Sequence, residues 1–245
     1  RRPMTVVCVT DYEVHANWIA NADLYLAGSD SVYRKLTAEG KRVARLPMLP
    51  CRAPKFVTPK SVAREGDVLK ILMVMGLEGS SRRKAKRIIN QLLRSSGDVK
   101  VKVDVICGRN AKLKAELTRI YQNEDAICVH GFVDDIPERM QIANLALIRL
   151  SPNTMTEALA AGTPVIGFDW HVHEAECLTV LRHFGAGTGS LSVAEAIRRT
   201  ERFLSDPELR DHWYRRAYKA STQAFGSELA AQCILDPANG FHHAS

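Results

Sequence analysis

Short apolar runs rich in β-branched residues alternate with amphipathic helical stretches along most of the chain. Up to residue 50 this pattern predicts three strands separated by two helices: Thr5–Thr10, Val14–Ala22, Leu24–Ala27, Asp30–Glu39 and Val43–Leu46. Four prolines and a glycine then interrupt every periodic element between residues 47 and 67. We interpret residues 1–50 as the end of a first, incomplete unit and residues 51–67 as a linker.

A second alternation begins after residue 67 and predicts parallel βαβ units with right-handed crossovers. Its predicted strands are Leu69–Met75, Val101–Cys107, Ile127–His130, Leu145–Arg149 and Pro164–Phe168. Its predicted helices are Arg82–Ser95, Ala111–Gln122, Ile136–Ala143, Thr154–Ala161, Glu174–Phe184, Ser192–Ser205 and Pro207–Phe225. Residues 68–225 should therefore form an α/β, Rossmann-like parallel sheet with helices on both faces. Residues 226–245 are predicted to form a final helix and tail.

Ligands bind open parallel sheets at the carboxyl ends of the strands, so the turns after the strands are the places to search. The first turn offers Gly76, Gly79 and Ser80 before a helix, where backbone amides could approach a phosphate. The sequence is neither GxGxxG nor a Walker A motif, and the pattern alone favours an ordinary βα turn.

The helix after that turn starts with five cations, which is the unfavourable end of the helix dipole for positive charge. They are Arg82, Arg83, Lys84, Lys86 and Arg87. A bound anion or an acidic surface would remove the conflict. A solvated face, screened by salt and by Glu78, is the alternative.

The turn after Arg149 allows two interpretations. Thr154 and Glu157 have the S/T-x-x-E spacing of a capping box, which would explain both residues structurally. Alternatively, the helix N-terminus with Ser151, Asn153 and Thr154 could hold a diphosphate, and Glu157 could accept hydrogen bonds from ribose hydroxyls.

The next turn contains His171, His173, Glu174 and Glu176. Such residues could ligate zinc, but neither a further ligand cluster nor an HExxH spacing accompanies them. Polar groups for sugar hydroxyls are the favoured interpretation, and no metal site is predicted.

Composition narrows the partners and the compartment. The net charge of +7 favours an anionic partner such as a phosphorylated small molecule or an acidic lipid surface. Nucleic acid is disfavoured because no RRM, KH or zinc motif is present. The six cysteines form no CxxC pair, so no zinc or redox motif of that kind is present. No apolar run approaches the length of about 18 residues that is needed to span a bilayer. We expect a reducing intracellular compartment, cytoplasm or organelle, with peripheral membrane contact allowed, rather than secretion.

Several motifs together resemble the C-terminal, donor-binding half of GT-B glycosyltransferases. The class contains monogalactosyldiacylglycerol synthases, processive diacylglycerol glucosyltransferases and the peptidoglycan N-acetylglucosaminyltransferase. The similar segments are Val9–Asp11 followed by His15 and Trp18, then Ile71–Gly79, Val105–Leu113, Val129–Ile136 and Ser151–Pro164. They occur in the family's order from about residue 5 to Gly187.

The resemblance implies a UDP-sugar donor, no other cofactor, and a role for each matching position. Phe132 and Val133 would contact uracil, Thr154 and its helix N-terminus the diphosphate, and Glu157 the ribose. His173 and Glu174, where the family has Gln-Glu, would bind sugar hydroxyls. The family's signature glycines are replaced by Ser151 and Asn153, and its preceding lysine by Arg149.

The first unit is much shorter than the acceptor domain of that class, and this leaves two hypotheses. One is a glycosyltransferase with a diacylglycerol-like acceptor, of which this chain is a fragment that is inactive alone, with His15 as the remaining catalytic candidate. The other is a non-catalytic relative, a pseudoenzyme that is either a nucleotide-sugar-binding or a purely structural domain and serves as a subunit of a larger assembly.

Overall fold

Two parallel sheets and nine helices make up the described part of the chain. The computed structural model describes residues 3–14, 21–61, 67–75, 81–95, 99–169, 174–223 and 226–236. The strands are β1 (Val6–Val9), β2 (Leu24–Ala27), β3 (Val43–Arg45), β4 (Val68–Val74), β5 (Lys100–Ile106), β6 (Ile127–His130), β7 (Leu145–Arg149), β8 (Val165–Phe168) and β9 (Gly187–Ser190). The helices are α1 (Asp30–Ala38), α2 (Ser81–Ser95), α3 (Ala111–Ile120), α4 (Ile136–Ile142), α5 (Pro152–Ala160), α6 (Glu176–Phe184), α7 (Val193–Ser205), α8 (Pro207–Ser221) and α9 (Gly226–Leu235).

The first sheet is small and has the order β1-β2-β3. Helix α1 packs on one face through Val32 and Leu36, both fully buried. Helix α9 covers the other face through Ala230 and Cys233, although it is the last element described. Strands from the first 50 residues and the last described helix thus share one apolar cluster.

The second sheet has the order β6-β5-β4-β7-β8-β9, and every neighbouring pair is parallel. Helices α2, α3 and α7 pack on one face, and α4, α5 and α6 on the other. Starting from β4, the chain adds β5 and β6 on one side of the sheet. It then adds β7, β8 and β9 on the other side of β4. The switch point between β4 and β7 is where open sheets of this type form a crevice for ligands. The predicted fold class is confirmed.

Two elements differ from the sequence predictions. Strand β9 was not predicted, because its sequence GTGS has no apolar or β-branched pattern beyond one threonine. Its backbone pairs with β8, and a Cβ on Gly187 would lie 2.0 Å from the carbonyl oxygen of Val165. Helix α5 begins at Pro152 rather than Thr154, with Ser151 as N-cap. A proline suits the first helical position, since its fixed φ is helical and the missing amide has no helical partner there. The predicted helix over Val14–Ala22 falls largely outside the described residues.

Tyr12, three residues after β1, packs against helix α5 of the second sheet. Its side chain is 1% exposed and shares an apolar cluster with Met155 and Leu159 of α5. The Tyr12 hydroxyl lies 2.6 Å from Thr156 Oγ1, and Thr156 Oγ1 donates to the carbonyl of Pro152 at 2.7 Å. Because the Thr156 proton is used, Tyr12 is the donor to Thr156. Burial raises the pKa of Tyr12, so it stays protonated.

Two tyrosine variants test this contact. Tyr12→Phe should lower the free energy of unfolding by about 1 kcal/mol, since it removes a buried hydrogen bond. Tyr25→Phe is the matched control, because the buried Tyr25 hydroxyl has no hydrogen-bond partner in the part of the chain described here. We expect no loss of stability from it. Urea unfolding of both variants measures the difference, and equal losses would contradict the assigned role of Tyr12.

Candidate functional site

The N-terminus of α5 opens onto the carboxyl edge of the second sheet, directly after the central strand β7. Ser151 stands at the N-cap position of the helix, and its hydroxyl donates to Thr154 Oγ1 at 3.1 Å rather than accepting from a backbone amide. Thr154 is therefore the third helical residue, so of the two interpretations of Thr154 and Glu157 the capping box is wrong. The amides of a first helical turn have no partner within the helix, so those of Asn153 and Thr154 are available to an anion.

Glu157 lies one turn further along α5 and is half-buried. Burial raises the pKa of its carboxyl group, and the positive charge of Arg52 acts in the opposite direction. The Glu157 charge also contributes, after burial, to raising the pKa of the Cys51 thiol to about 11. Glu157 thus lies on α5 close enough to Cys51 and Arg52 to interact with them electrostatically.

The turn after β6 presents an aromatic side chain. Phe132 is 66% exposed, and the guanidinium carbon of Arg109 lies 5.4 Å from its ring centroid. Val133 packs against the apolar cluster beneath α5, and Arg52 donates to the carbonyl of Asp134. The contacts of Val133 and of the Asp134 carbonyl therefore hold the turn in place, while the Phe132 ring is exposed to solvent.

Arg149 and Glu174 form a buried ion pair at the same edge. Arg149 Nη1 and Nη2 donate to Glu174 Oε1 and Oε2 at 3.1 and 3.0 Å, and the side chains are 17% and 7% exposed. The sequence predicted that Glu174 binds sugar hydroxyls. Both of its oxygens already accept from Arg149, so a sugar would have to share this carboxylate with the guanidinium.

The predicted anion-binding surface on α2 is partly compensated within the chain. Lys84 Nζ lies 2.5 Å from Asp169 Oδ2, and Arg82 lies 3.0 Å from Glu116. Arg83 and Arg87 are exposed, and Lys86 is half-buried. Asp169 follows β8 with a φ of 51°, a left-handed conformation that is uncommon outside glycine. Asp169 and Glu116 thus partly offset the unfavourable interaction between the cations at the start of α2 and the helix dipole.

Five of the predicted site residues lie outside the described residues: His15, Gly76, Gly79, Ser80 and His173. The structure brings Phe132, Val133, Ser151, Asn153, Thr154 and Glu157 to one edge of the sheet, with Glu174 beside them. Sequence reasoning missed Arg52, Arg109 and Tyr12 as members of this region. Arg109 lies in the turn between β5 and α3 and could have been found there. Arg52 and Tyr12 carry no local signal, because their contacts are with distant segments.

A cavity of about 340 Å³ lies between the ends of β2 and β3 on one side and α6 on the other. Its polar lining includes Ser29, Asp30, Arg45, Glu176 and His183. The pKa of Glu176 is raised by burial and by the negative charges of Glu13 and Asp30.

In the described part of the chain, none of the helices is both long and apolar enough to span a membrane.

A family model described as "Glycosyl transferases group 1" matches residues 80–220. The processive diacylglycerol beta-glucosyltransferase of Bacillus pumilus is 29% identical over 168 residues, which cover 64% of this chain and 43% of that protein. The protein of the same name from Bacillus cereus is 27% identical over 210 residues, covering 81% and 53%. The chain therefore spans about half the length of these curated relatives.

Solved structures share the fold at low sequence identity. The MnaA–UDP co-structure from S. aureus has a TM-score of 0.65 at 18% identity, over 90% of this chain and 61% of that one. MurG of Acinetobacter baumannii has a TM-score of 0.59 at 18% identity, over 86% and 66%. At this level of identity the match concerns the fold alone.

Proposed function

The chain belongs to glycosyl transferases group 1, and from that membership we propose that its second sheet carries the binding site for a UDP-sugar donor. The membership agrees with the resemblance to GT-B enzymes found in the sequence. The observation that carries the proposal is the convergence of the Phe132 turn, the α5 N-terminus and Glu157 at one sheet edge, beside the switch point.

The proposed pose follows the order of the strands. Strands β6 and β7 are three positions apart, or about 14 Å at normal strand spacing. The uracil would lie at the turn of Phe132 and Val133, with the diphosphate at the α5 N-terminus. The Thr154 hydroxyl, which accepts from Ser151, would donate to the phosphate oxygens together with the amides of the first helical turn. Glu157 would accept from the ribose hydroxyls, as a half-buried carboxylate can do strongly.

A diacylglycerol-like lipid is the proposed acceptor. The support is the name of the relatives at 27–29% identity, processive diacylglycerol beta-glucosyltransferases. The cavity against α6 supports this proposal, because an acceptor bound in it would lie next to the proposed donor. The exposed Arg83 and Arg87 would face an acidic lipid surface.

A non-catalytic role in nucleotide-sugar binding is the second candidate. The observation that favours it is the Arg149–Glu174 pair, which occupies the carboxylate expected to bind the sugar. Ser151 and Asn153, in place of glycines, also narrow the room for a diphosphate. Such a domain would bind the nucleotide and serve as a subunit of a larger assembly.

Titration calorimetry with UDP tests the proposal. We expect saturable binding, together with a rise in Tm that grows with UDP concentration, because a ligand that binds only the native state stabilises it. UMP should bind more weakly than UDP, since it lacks the β-phosphate that would lie at the α5 N-terminus in the proposed pose. CDP serves as the control for recognition of the base. No heat and no shift in Tm at millimolar UDP would contradict the donor site.

Sugar transfer separates the two candidate functions. The 245-residue chain should not transfer sugar by itself from a labelled UDP-sugar to diacylglycerol in anionic micelles. The class to which it is similar takes its base and acceptor cleft from the first domain, and a general base alone is worth about 10²–10⁴ in rate. Turnover that His15→Ala abolishes would contradict this prediction and would make the first unit a working acceptor site.

A further inference from the structure

Three side chains able to bind a metal converge on the outer strands of the second sheet. Cys128 and His130 are two residues apart on β6 and therefore share a face of the sheet. Asp104 on β5 is the register partner of Cys128. One ligand atom from each of the three lies within 4.8 Å of the other two. Strand register thus assembles the group from segments more than 20 residues apart.

The cluster is accessible to solvent. Cys128 is an exposed, free cysteine, and the side chains of Asp104 and His130 are 37% and 23% exposed. His130 Nε2 lies 3.0 Å from Asp104 Oδ1. The surface beside Asp104 and Cys128 forms a cavity of about 250 Å³. An ion could therefore reach all three groups without unfolding the strands.

One cation stands next to the cluster. Arg139 Nη1 lies 3.5 Å from His130 Nε2, and Arg139 Nε donates to Asp135 Oδ1 at 2.7 Å. A bound cation would displace this guanidinium end from His130. Asp135 would keep Arg139 anchored on α4, so its displacement requires a rotation of the side chain rather than a movement of the helix.

We propose that Asp104, Cys128 and His130 bind a zinc-like divalent cation. Thiolate, imidazole and carboxylate together suit borderline ions such as Zn²⁺, whereas Mg²⁺ and Ca²⁺ prefer oxygen ligands alone. The Cys128 thiol releases its proton to solvent as the metal–sulfur bond forms. His130 binds through the Nε2 lone pair, with its ring proton on Nδ1, and water completes four-fold coordination.

The position of the site indicates its effect. His130 ends β6, and its carbonyl accepts from the amide of Cys107 at 2.9 Å. The exposed Phe132 follows two residues later. A metal there would fasten the edge strand to β5 immediately before the turn that carries Phe132. The proposal rests on strand register and side-chain chemistry, so it stands independently of nucleotide binding.

Titration with Co²⁺ tests the site, because cobalt bound to a thiolate gives a sulfur-to-metal charge-transfer band in the near ultraviolet. We expect one equivalent to produce the band in the full chain and Zn²⁺ to abolish it by competition. Cys128→Ser should remove the band. His130→Gln should keep the band and weaken Co²⁺ affinity at least tenfold. Cys8→Ser, which alters another exposed free cysteine, should change neither.

Three results would overturn the proposal. They are absence of the band in the parent chain, a band that survives in Cys128→Ser, and an unchanged affinity in His130→Gln. Circular dichroism of each variant establishes that it is folded before titration. A visible cobalt spectrum without the sulfur band would assign binding to other residues and would also reject this site.

Discussion

Replacing Arg149 by methionine is expected to lower the free energy of unfolding by about 3–5 kcal/mol. The variant removes the cation that donates two hydrogen bonds to Glu174, whose carboxylate is buried. Removing one member of a buried ion pair costs this much because the other charge stays desolvated. Denaturant unfolding, monitored by tryptophan fluorescence, measures the loss.

A double variant and a surface pair control for other causes. Arg149→Met combined with Glu174→Leu should recover most of the loss, since the buried charge is then absent. Arg45→Met removes a cation from the exposed pair with Asp30, in which the side chains are 51% and 52% exposed. It should change stability by about 1 kcal/mol or less. A loss from Arg149→Met no larger than that from Arg45→Met would contradict the buried-pair assignment.

The Arg149–Glu174 pair also bears on the donor site. It links Arg149, the last residue of β7, to Glu174, two residues before α6, while Lys84 binds Asp169 directly after β8. Asp169 and Glu174 flank the segment in which His173 was predicted to bind sugar hydroxyls. Two ion pairs therefore fix both boundaries of that segment. A donor that binds there must fit between fixed boundaries or displace Arg149 from its partner.

Elements with a strong local pattern could be predicted from the sequence, and elements held by distant contacts could not. Strand β7 is a buried run, LALIR, whose apolar character marks a central parallel strand. Strand β9 has no such pattern and exists because its backbone pairs with β8. The α5 start was misplaced because the spacing of Thr154 and Glu157 fits a capping box, whereas Pro152 already occupies the first turn.

The same distinction applies to the site. The turn after β6 and the α5 N-terminus could be predicted, because each follows a strand and parallel strands end at one edge. The partners of Arg149 and Tyr12 are 25 and 144 residues away in sequence. No local spacing encodes such pairs. These pairs form only once the strands are arranged in the sheet, with β5 and β6 on one side of β4 and β7 to β9 on the other.

Replacing Glu157 by glutamine is expected to weaken UDP binding by about 1–3 kcal/mol, roughly 5- to 150-fold, if the carboxylate accepts from the ribose hydroxyls. Since Glu157 does not belong to a capping box, helix capping does not account for this effect. Binding of 2′-deoxy-UDP isolates the contact in a double-mutant cycle. The glutamine variant should discriminate less between UDP and 2′-deoxy-UDP than the parent does. Glu208→Gln, at an exposed glutamate of α8, is the matched control and should leave affinity unchanged.

The pH dependence of the same contact gives an independent measurement. Burial raises the pKa of Glu157 above its ordinary value, and the ribose contact requires the ionised carboxylate. Donor affinity should therefore fall as pH is lowered through this raised pKa, and the parent should approach the glutamine variant. The free energy of unfolding of the unliganded protein should depend on pH in the opposite direction. Glu157 binds its proton more tightly in the folded state than in the unfolded chain, so the parent loses stability relative to the glutamine variant as pH rises through the raised pKa. Using UDP-glucose avoids titration of a terminal phosphate. Parallel affinity profiles for parent and variant would exclude a charged contact between Glu157 and the ribose.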